Sequence, residues 1–284
     1  DCQAPNEKLL QIPLNTNLIT VNFAESADDI IKRKFNTQSV AQNSFHSNHN
    51  LRFTLFESKK LKKIYDKINL VETKVKDFMK VECGICGKNG KDSILSTIKH
   101  SKYWFEGVSD TSLLHEFYVD SNVQYLKFKK EDLIRGFNVN YSNPKLLLPK
   151  TADRIRCSYD KEGLIADDNC QIVTPRPDFE NYLPAFCAIL NSDLFNEYYR
   201  IVTLETGRGN AQTDIDTLYS IPFPSPNDFY DQYTTLNDKA LEIIKLLKKK
   251  KKTKDEMHKT KRLKVEIENI VTGMFLPESK RVAS

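Results

Sequence analysis

Residues 183–226 constrain the fold of this chain more than any other stretch of its sequence. The first part of this run has apolar side chains at steps of three and four residues, which predicts an amphipathic helix with one buried face. These side chains are Leu183, Phe186, Cys187, Ile189, Leu190, Leu194 and Tyr198. A polar loop follows, in which Arg208 lies between two glycines and precedes Asn210 and Gln212. A flexible backbone carrying one cation and two amides can approach phosphates or base edges closely. We expect a short strand at 218–226, after the loop.

The other periodic patterns divide the chain into three segments. Residues 1–77 combine a strand-like stretch at 14–23, a polar segment at 36–50, a second strand at 51–56 and a helix at 61–70. Residues 78–225 mix helices with many short strands, and residues 226–284 carry two helical apolar stripes. The stripes are Phe229, Tyr233, Leu236, Ala240, Ile243 and Leu247, then Leu263, Ile267, Ile270 and Met274. We therefore predict an α+β fold, in which a mixed β-rich domain is followed by C-terminal helices.

Positive charge is concentrated near the C-terminus. The chain has a net charge of +5, and residues 245–264 alone carry +9, so the rest of the chain carries −4. The five lysines at 248–252 lie between the two helical stripes. A helical hairpin or long helix with a solvated basic region explains them, and contact with a nucleic-acid backbone is the alternative. Elsewhere, an anion-binding surface must come from local clusters. The candidates are Lys88, Lys91, Lys99 and Lys102, and Arg135, Lys145, Lys150, Arg154 and Arg156.

The cysteines, the lack of a long apolar stretch and the first residues indicate which class of protein this is. Six cysteines form no repeated framework, so we expect free thiols in a reducing cytoplasm. Cys83 and Cys86 have the spacing of half a zinc site, but no second pair or nearby histidine completes four ligands, and we expect no metal. No apolar stretch approaches the roughly 20 residues that span a bilayer, so we expect no membrane segment. Asp1 is not an initiator Met and no signal pattern follows it, which predicts a fragment of a longer polypeptide.

Several weak motifs follow one another in a specific order. Residues 81–90 (VECGICGKNG) are similar to a Gly-Ile-x-x-Gly-x-Asn opening, with a Cys where another small residue is usual. Next come residues 102–107 (KYWFEG), 123–126 (VQYL) and 143–156 (NPKLLLPKTADRIR). The Leu-Asn-Ser helix, the glycine-rich loop, Ile-Pro-Phe-Pro and a closing VEIENIV helix complete the series. This order resembles the TaqI-like C-terminal specificity domain, over about residues 78 to 277.

The resemblance implies that target recognition and catalysis belong to different regions of a longer enzyme. That domain is the target-recognition part of adenine-N6 DNA methyltransferases and type IIG restriction-modification enzymes, so double-stranded DNA is the expected partner. It also implies that residues 1–77 are the tail of a methyltransferase domain and its joint, residues 78–225 the recognition domain, and residues 226–284 a helical segment. The parent enzyme would bind S-adenosylmethionine, and a nuclease could also be fused to it. We expect no cofactor in this fragment.

Catalytic motifs are missing from the sequence. Adenine-N6 transfer needs an Asn/Asp-Pro-Pro-Tyr/Phe loop, and the sequence has no Pro-Pro dipeptide. The close glycine pair Gly207 and Gly209 follows a helix rather than a strand, which is the wrong context for a nucleotide-binding turn. We also find no convincing metal-binding nuclease motif. The fragment is therefore expected to be catalytically inactive.

Recognition of DNA would divide the site residues by type of contact. The phosphate-binding candidates are Lys88, Lys91, Lys150, Arg154, Arg156 and Arg208, and the base-reading candidates are Asn89, Asn138, Asn140, Asn210, Gln212 and Arg135. Trp104 is a candidate for stacking near DNA, although an aromatic residue in a strand more often packs in the core. We predict that Arg208→Ala weakens DNA binding with little effect on folding.

Two other functions remain open from the sequence. The chain could be the recognition half of a type I specificity subunit, whose C-terminal helices would dock a methyltransferase partner. The absence of an internal repeat weighs against a complete subunit of that kind, which has two recognition domains. Alternatively, it could be an unrelated protein-interaction module whose basic tract is merely solvated. DNA binding at low and moderate salt distinguishes the last possibility from the other two.

Overall fold

A computed structural model describes residues 17–24, 26–47, 55–56, 59–120, 124–152, 154–203, 214–249 and 251–276. The chain forms two compact units, residues 1–63 and residues 64–284. None of the helices in these described ranges is long and apolar enough to cross a lipid bilayer.

The first unit contains a two-stranded antiparallel sheet. Strand β1 (Leu18–Phe23) pairs with β2 (Asn36–Ala41), and helix α1 (Ala27–Ile31) lies between them in the chain. The strand predicted at 14–23 is therefore present from residue 18 onward. The polar segment predicted at 36–50 instead begins with β2, because the β1 backbone supplies pairing partners that compensate for its weak β propensity. Residues 14–16 and 51–54 lie outside the described ranges.

The second unit mixes helices and strands, so the predicted α+β class is confirmed. Helix α2 (Lys59–Ile68) spans the boundary between the units and confirms the helix predicted at 61–70, although Leu70 lies beyond its end and is exposed. The elements that follow in the chain are α3 (Val75–Phe78), β3 (Met79–Cys83), β4 (Cys86–Gly87), β5 (Leu95–Ser96), β6 (Trp104–Val108), β7 (Gln124–Lys127), β8 (Leu133–Arg135), β9 (Lys145–Pro149), β10 (Ser158–Asp160), β11 (Ile165–Ala166) and β12 (Cys170–Pro175).

A four-stranded antiparallel sheet forms the middle of this unit, in the order β10-β9-β12-β3. Leu146 and Leu148 of β9 enter one hydrophobic core, whereas Leu147 enters a second. Because successive side chains of a strand point to opposite faces, the sheet separates the two cores. This explains why β9 is apolar at three consecutive positions: both of its faces are covered.

The second core belongs to a lobe of short strands. One sheet has the order β11-β6-β7-β5, in which β11 and β6 are parallel and the other pairs are antiparallel. The small pair β4 and β8 completes the lobe. These strands are two to five residues long, so close packing between loops contributes much of the lobe's interior.

Helices cover the other face of the central sheet. Residues 183–198, predicted as one amphipathic helix, form two helices, α4 (Leu183–Asn191) and α5 (Asp193–Thr203), with a break at Ser192. Every residue of α4 is buried, because it packs against the sheet, α5, α7 and α8. The expectation of one buried face is therefore wrong for α4.

The segment after the polar loop also differs from the prediction. A strand was expected at 218–226, but Asp214 accepts the N–H of Thr217 and starts helix α6 (Ile215–Ser220). The extended part is limited to Pro222, which bridges Lys74, and Phe223, whose N–H donates to Thr73 O at 2.8 Å. An aspartate at the N-cap explains the helix.

The C-terminal part is an antiparallel hairpin of α7 (Tyr230–Leu247) and α8 (Lys254–Phe275). Lys239 pairs with Glu266 at 2.5 Å, and Lys259 pairs with Glu242, so the residue numbers run in opposite directions along the two helices. Of the five lysines, Lys248 and Lys249 end the first helix and Lys251 and Lys252 precede the second. Of the two arrangements predicted for this region, a helical hairpin or a long helix, the structure has the hairpin. Contact of these lysines with a nucleic-acid backbone stays a prediction. Both helices contribute to the core that α4 occupies, and the domain boundaries at 77 and 225 stay a prediction.

Candidate functional site

The segment after β4 presents five consecutive residues, 88–92, to solvent, among them Lys88, Asn89 and Lys91. Its base is held by the Lys88 N–H, which donates to Asp132 O at 2.9 Å, and by a bridge between Ile85 and Asp167. Gly90 has a φ of 84°, which favours glycine. The sequence therefore places these side chains on a turn whose backbone is fixed.

A buried carboxylate, Asp167, joins this turn to two other segments. Its side chain is 1% exposed and contacts the hydroxyl of Ser109, at the end of β6. Lys91 Nζ lies 3.1 Å from Asp167 Oδ2, and the Asn169 N–H donates to Asp167 Oδ1 at 3.0 Å. Three loops that are distant in sequence are thereby fixed around one charge, which is itself compensated by hydrogen bonds and by Lys91.

The same loops enclose an open groove of about 430 Å³. Its lining includes two of the predicted phosphate-binding residues, Lys91 and Lys150, together with polar side chains that sequence analysis did not select. Those additional residues are Ser109, Asp110, Thr111, Gln124, Thr151 and Asn169, with Leu95 as the apolar member. A groove lined by two cations, by neutral donors and acceptors and by a single carboxylate suits a polyanion that carries a hydrogen-bonding pattern.

Asp110 supplies a negative charge to this groove. The backbone N–H of Ser112 donates to its carboxylate at 2.9 Å, and hydrogen bonds from Ser112, aided by the charge of Lys91, lower the pKa of Asp110 below its ordinary value. An ionised carboxylate only accepts hydrogen bonds, so Asp110 would repel a phosphate and accept from an amino group.

Arg135, a predicted base-reading residue, is paired within the protein. Its Nη2 lies 2.8 Å from Asp168 Oδ2, and this hydrogen bond raises the pKa of the guanidinium. The neighbouring Cys86 thiol has a raised pKa because of burial, to which Asp168 adds. Within the described residues, no group of three or more His, Cys, Asp or Glu side chains is arranged to hold a metal ion.

Arg154 and Arg156 do not line the groove. Arg154 Nη2 is 3.2 Å from Asp193 and 3.5 Å from Glu116, beside a second cavity of about 370 Å³ next to α8. Arg156 is half-buried and its Nη2 donates to Thr111 O at 3.5 Å, at the back of the groove wall. Both arginines thus have protein partners in this structure.

Lys145 has no access to solvent. Its side chain is 0% exposed and lies 2.5 Å from Asp160, so its interpretation as part of a phosphate-facing cluster is wrong. The strand β9, covered on both faces, carries this lysine into the interior. An apolar neighbourhood of three leucines was the sequence signal for this burial.

The other predicted residues divide into exposed, buried and undescribed positions. Asn138 and Asn140 are exposed in the turn after β8, and Asn140 Oδ1 accepts the Ser142 N–H at 3.2 Å. Trp104 is 8% exposed and packs edge-on against His100, so its ring has little surface on which a base could stack. The three loop residues Arg208, Asn210 and Gln212 lie outside the described residues.

Comparison with known proteins agrees with the resemblance seen in the sequence. Residues 109–223 match the family of the TaqI-like C-terminal specificity domain. No curated protein sequence matches the chain. The Type IIL restriction-modification enzyme MmeI, solved in complex with DNA, is similar in structure with a TM-score of 0.50 and 12% identity. The similarity covers 74% of this chain and 34% of the MmeI chain, so this chain spans about a third of that enzyme.

Two further solved structures have weaker similarity. A chain of a type I R-M system assembly has a TM-score of 0.39 at 10% identity, covering 76% of this chain and 52% of that one. The HsdS subunit from Thermoanaerobacter tengcongensis has a TM-score of 0.36 at 12% identity, covering 78% of this chain and 52% of that one.

Proposed function

We propose that this chain, whose residues 109–223 match a TaqI-like C-terminal specificity domain, recognises a target sequence in double-stranded DNA. The single observation that carries the proposal is the groove itself. Lys91 and Lys150 line it together with amide, hydroxyl and carboxylate groups. The lysines would bind phosphates, and the other polar groups would read base edges.

The net charge is compatible with this function because the cations are local. Most of the excess positive charge lies in residues 245–264, while the remainder of the chain is mildly acidic. Phosphate binding therefore depends on a few positions, and removal of Lys91 and Lys150 should measurably weaken the affinity for DNA. The fold shared with MmeI, which was solved with DNA, supports the same function.

Salt-dependent binding tests the proposal. We expect fluorescence anisotropy with a pool of randomised duplexes to show binding that weakens from 50 to 200 mM salt, as phosphate contacts require. Because Lys91 is also the ion-pair partner of the buried Asp167, circular dichroism first establishes that the double variant Lys91→Ala and Lys150→Ala is folded. In the folded double variant, the magnitude of the slope of log K against log salt should decrease by about 2. The matched control is Lys67→Ala with Lys76→Ala, which removes the same charge from exposed positions of α2 and α3. Absence of duplex binding by the unmodified chain at 50 mM salt would refute the function.

At a finer level, the proposal assigns this chain to an adenine-N6 DNA methyltransferase or a type IIG restriction-modification enzyme. The order of motifs over about residues 78 to 277 supports this assignment. Methyl transfer from S-adenosylmethionine would then be performed by a methyltransferase region outside these 284 residues. The upstream coding sequence tests this point: an Asn-Pro-Pro-Tyr motif encoded in frame before Asp1 supports it, and an unrelated or absent upstream frame contradicts it.

A further inference from the structure

The side chain of Gln124 has a fixed orientation at the wall of the groove. Gln124 begins β7 and lies opposite Gly107 of β6. Its Oε1 accepts the N–H of Ser109 at 3.1 Å and the N–H of Asp110 at 3.4 Å. Backbone N–H groups can only donate, so the oxygen must occupy this end of the amide. The NH2 group of Gln124 is therefore the end that is left to donate.

Asn169, on another wall, has the opposite polarity. Its Nδ2 donates to Ser109 O at 3.4 Å and to Asp167 Oδ2 at 3.3 Å, so its Oδ1 is the end left to accept. Asp110 also only accepts, because hydrogen bonds from Ser112 stabilise its ionised form. Gln124 thus differs from these two neighbours: it presents a neutral donor whose direction the backbone sets.

We propose that Gln124 is a specificity-determining residue that donates a hydrogen bond to an acceptor on a base edge. This inference rests on the proposed DNA recognition. In the major groove, the acceptors are N7 and O6 of guanine, N7 of adenine and O4 of thymine. A base that presents the amino group of cytosine or adenine at this point would place two donors face to face and leave both unpaired. One position of the recognised sequence would therefore exclude such a base.

Replacement of Gln124 by Glu isolates this donor. Glutamate has the same shape and keeps an oxygen for the N–H groups of Ser109 and Asp110, but it has an acceptor in place of the NH2 group. Gln124→Ala removes the donor and the acceptor together, and it provides the test if the glutamate variant does not fold. The matched control is Gln232→Glu, which makes the same change at an exposed position of α7.

The experiment is selection of bound duplexes from a randomised pool by the full chain and by each variant, followed by sequencing. We expect Gln124→Glu to change the preferred base at one position, by about tenfold or more, toward a base that presents an amino group. Gln124→Ala should lose preference at that same position, and Gln232→Glu should select the same sequence as the unmodified chain. Circular dichroism establishes which variants are folded.

The outcomes separate this inference from the function on which it rests. If the unmodified chain selects a sequence and folded Gln124 variants select the same one, Gln124 does not read a base, and DNA recognition stands. A loss of affinity that is uniform across all sequences overturns the inference in the same way. If the unmodified chain binds no duplex, both the function and the inference fail.

Discussion

Lys145 and Asp160 form an ion pair in the interior of the second unit, with side chains that are 0% and 1% exposed. Lys145 also donates to Tyr141 O at 2.8 Å, and Asp160 accepts the N–H groups of Glu162 and Leu164. Burial lowers the pKa of Lys145, and the charge of Asp160 opposes this change. The pair fixes the turn between β10 and β11, because both backbone bonds of that turn end on the same carboxylate.

Removal of only the cation should be strongly destabilising. In Lys145→Met, Asp160 remains buried without its partner, and we expect the free energy of unfolding to fall by about 3–5 kcal/mol. Urea denaturation followed by circular dichroism measures the change. The exposed neighbour Lys161 provides the control, since Lys161→Met should alter stability by less than about 0.5 kcal/mol. Equal stability of the two variants would show that the buried pair contributes nothing.

Asn191 explains the Leu-Asn-Ser motif by structure rather than by contact with DNA. Its Oδ1 accepts the N–H of Cys157 at 2.8 Å, and its Nδ2 donates to the carbonyl oxygens of Cys157 at 2.7 Å and Cys187 at 3.0 Å. The side chain therefore links the end of α4 to the segment that leads into β10. Asn191 is 7% exposed, so these backbone groups have no ready replacement from water.

Substitution of this amide should affect folding. For Asn191→Ala we expect a loss of about 2–4 kcal/mol, because several buried hydrogen bonds lose a partner. Thermal denaturation measures the loss, and Asn269→Ala, at an exposed position of α8, is the control. A melting temperature like that of the control would contradict this role.

At the scale of elements, α8 depends on its N-terminal cap. Thr253 accepts the Glu256 N–H at 3.2 Å, and the Glu256 carboxylate accepts the Thr253 N–H at 3.0 Å, which is a capping box. Further along the helix, Glu268 accepts the N–H groups of Asp193 at 2.8 Å and Leu194 at 2.9 Å, at the start of α5. The helix is thus capped at its own start and caps another helix.

Loss of the N-cap of α8 should moderately reduce the stability of the protein. We expect Thr253→Ala to lower the free energy of unfolding by about 1 kcal/mol. In the control Thr234→Ala, at an exposed position of α7, the higher helix propensity of alanine should leave stability equal or slightly raised. Chemical denaturation measures the free energy of unfolding of both variants. An equal loss of stability in Thr234→Ala and Thr253→Ala would argue against the capping box.

Helices were easier to predict than strands for a physical reason. The apolar stripes of α7 and α8 extend over several turns, so their period is visible in the sequence alone. Strands β4, β5 and β11 have two residues each, and pairing partners far along the chain determine them. The break at Ser192 and the N-cap at Asp214 also involve single residues, which a periodic pattern does not report.

The candidate site was predicted only in part, because the sequence search relied on local clusters of charged residues. Lys88 and Asn89 lie within the glycine-rich motif at 81–90 and Lys91 directly follows it, so their exposure on a turn could be predicted from the sequence, and Lys91 does line the groove. Gln124 lies in the VQYL motif at 123–126 but was not selected as a site residue, and Asn169 lies in no motif. Both reach the groove only because the strands bring 109, 124 and 169 together. Whether any of these residues binds DNA stays a prediction.

At the scale of the whole molecule, the central sheet joins two cores into one structure. The helical core includes residues from β3, α4, α7 and α8, and it shares β9 and β12 with the core of the strand lobe. Helix α4 is buried along its whole length, partly by α7. The hairpin is therefore part of the hydrophobic core, although Lys248, Lys249 and Lys251 beside its turn are exposed.

Truncation should reveal this dependence. A chain that ends at residue 225 would expose the apolar surface of α4, and we expect it to lose cooperative thermal unfolding and to bind a hydrophobic dye. The comparison is the full chain under the same conditions. Cooperative unfolding of the truncated chain would show that residues 226–284 form a separate domain, as the sequence-based boundary at 225 implies.

The buried carboxylate of Asp167 has a consequence for how target preference can change. Ser109, Lys91 and Asn169 converge on it from three loops, so the frame of the groove depends on one interior residue. Among the described residues, Thr111 and Thr151 line the groove without a side-chain hydrogen bond to Asp167, so they can be exchanged while the frame is retained. Gln124 can be exchanged for a side chain that keeps an oxygen for the N–H groups of Ser109 and Asp110. In libraries that vary these positions and leave Asp167, Ser109, Lys91 and Asn169 unchanged, variants with a new target preference should therefore remain folded.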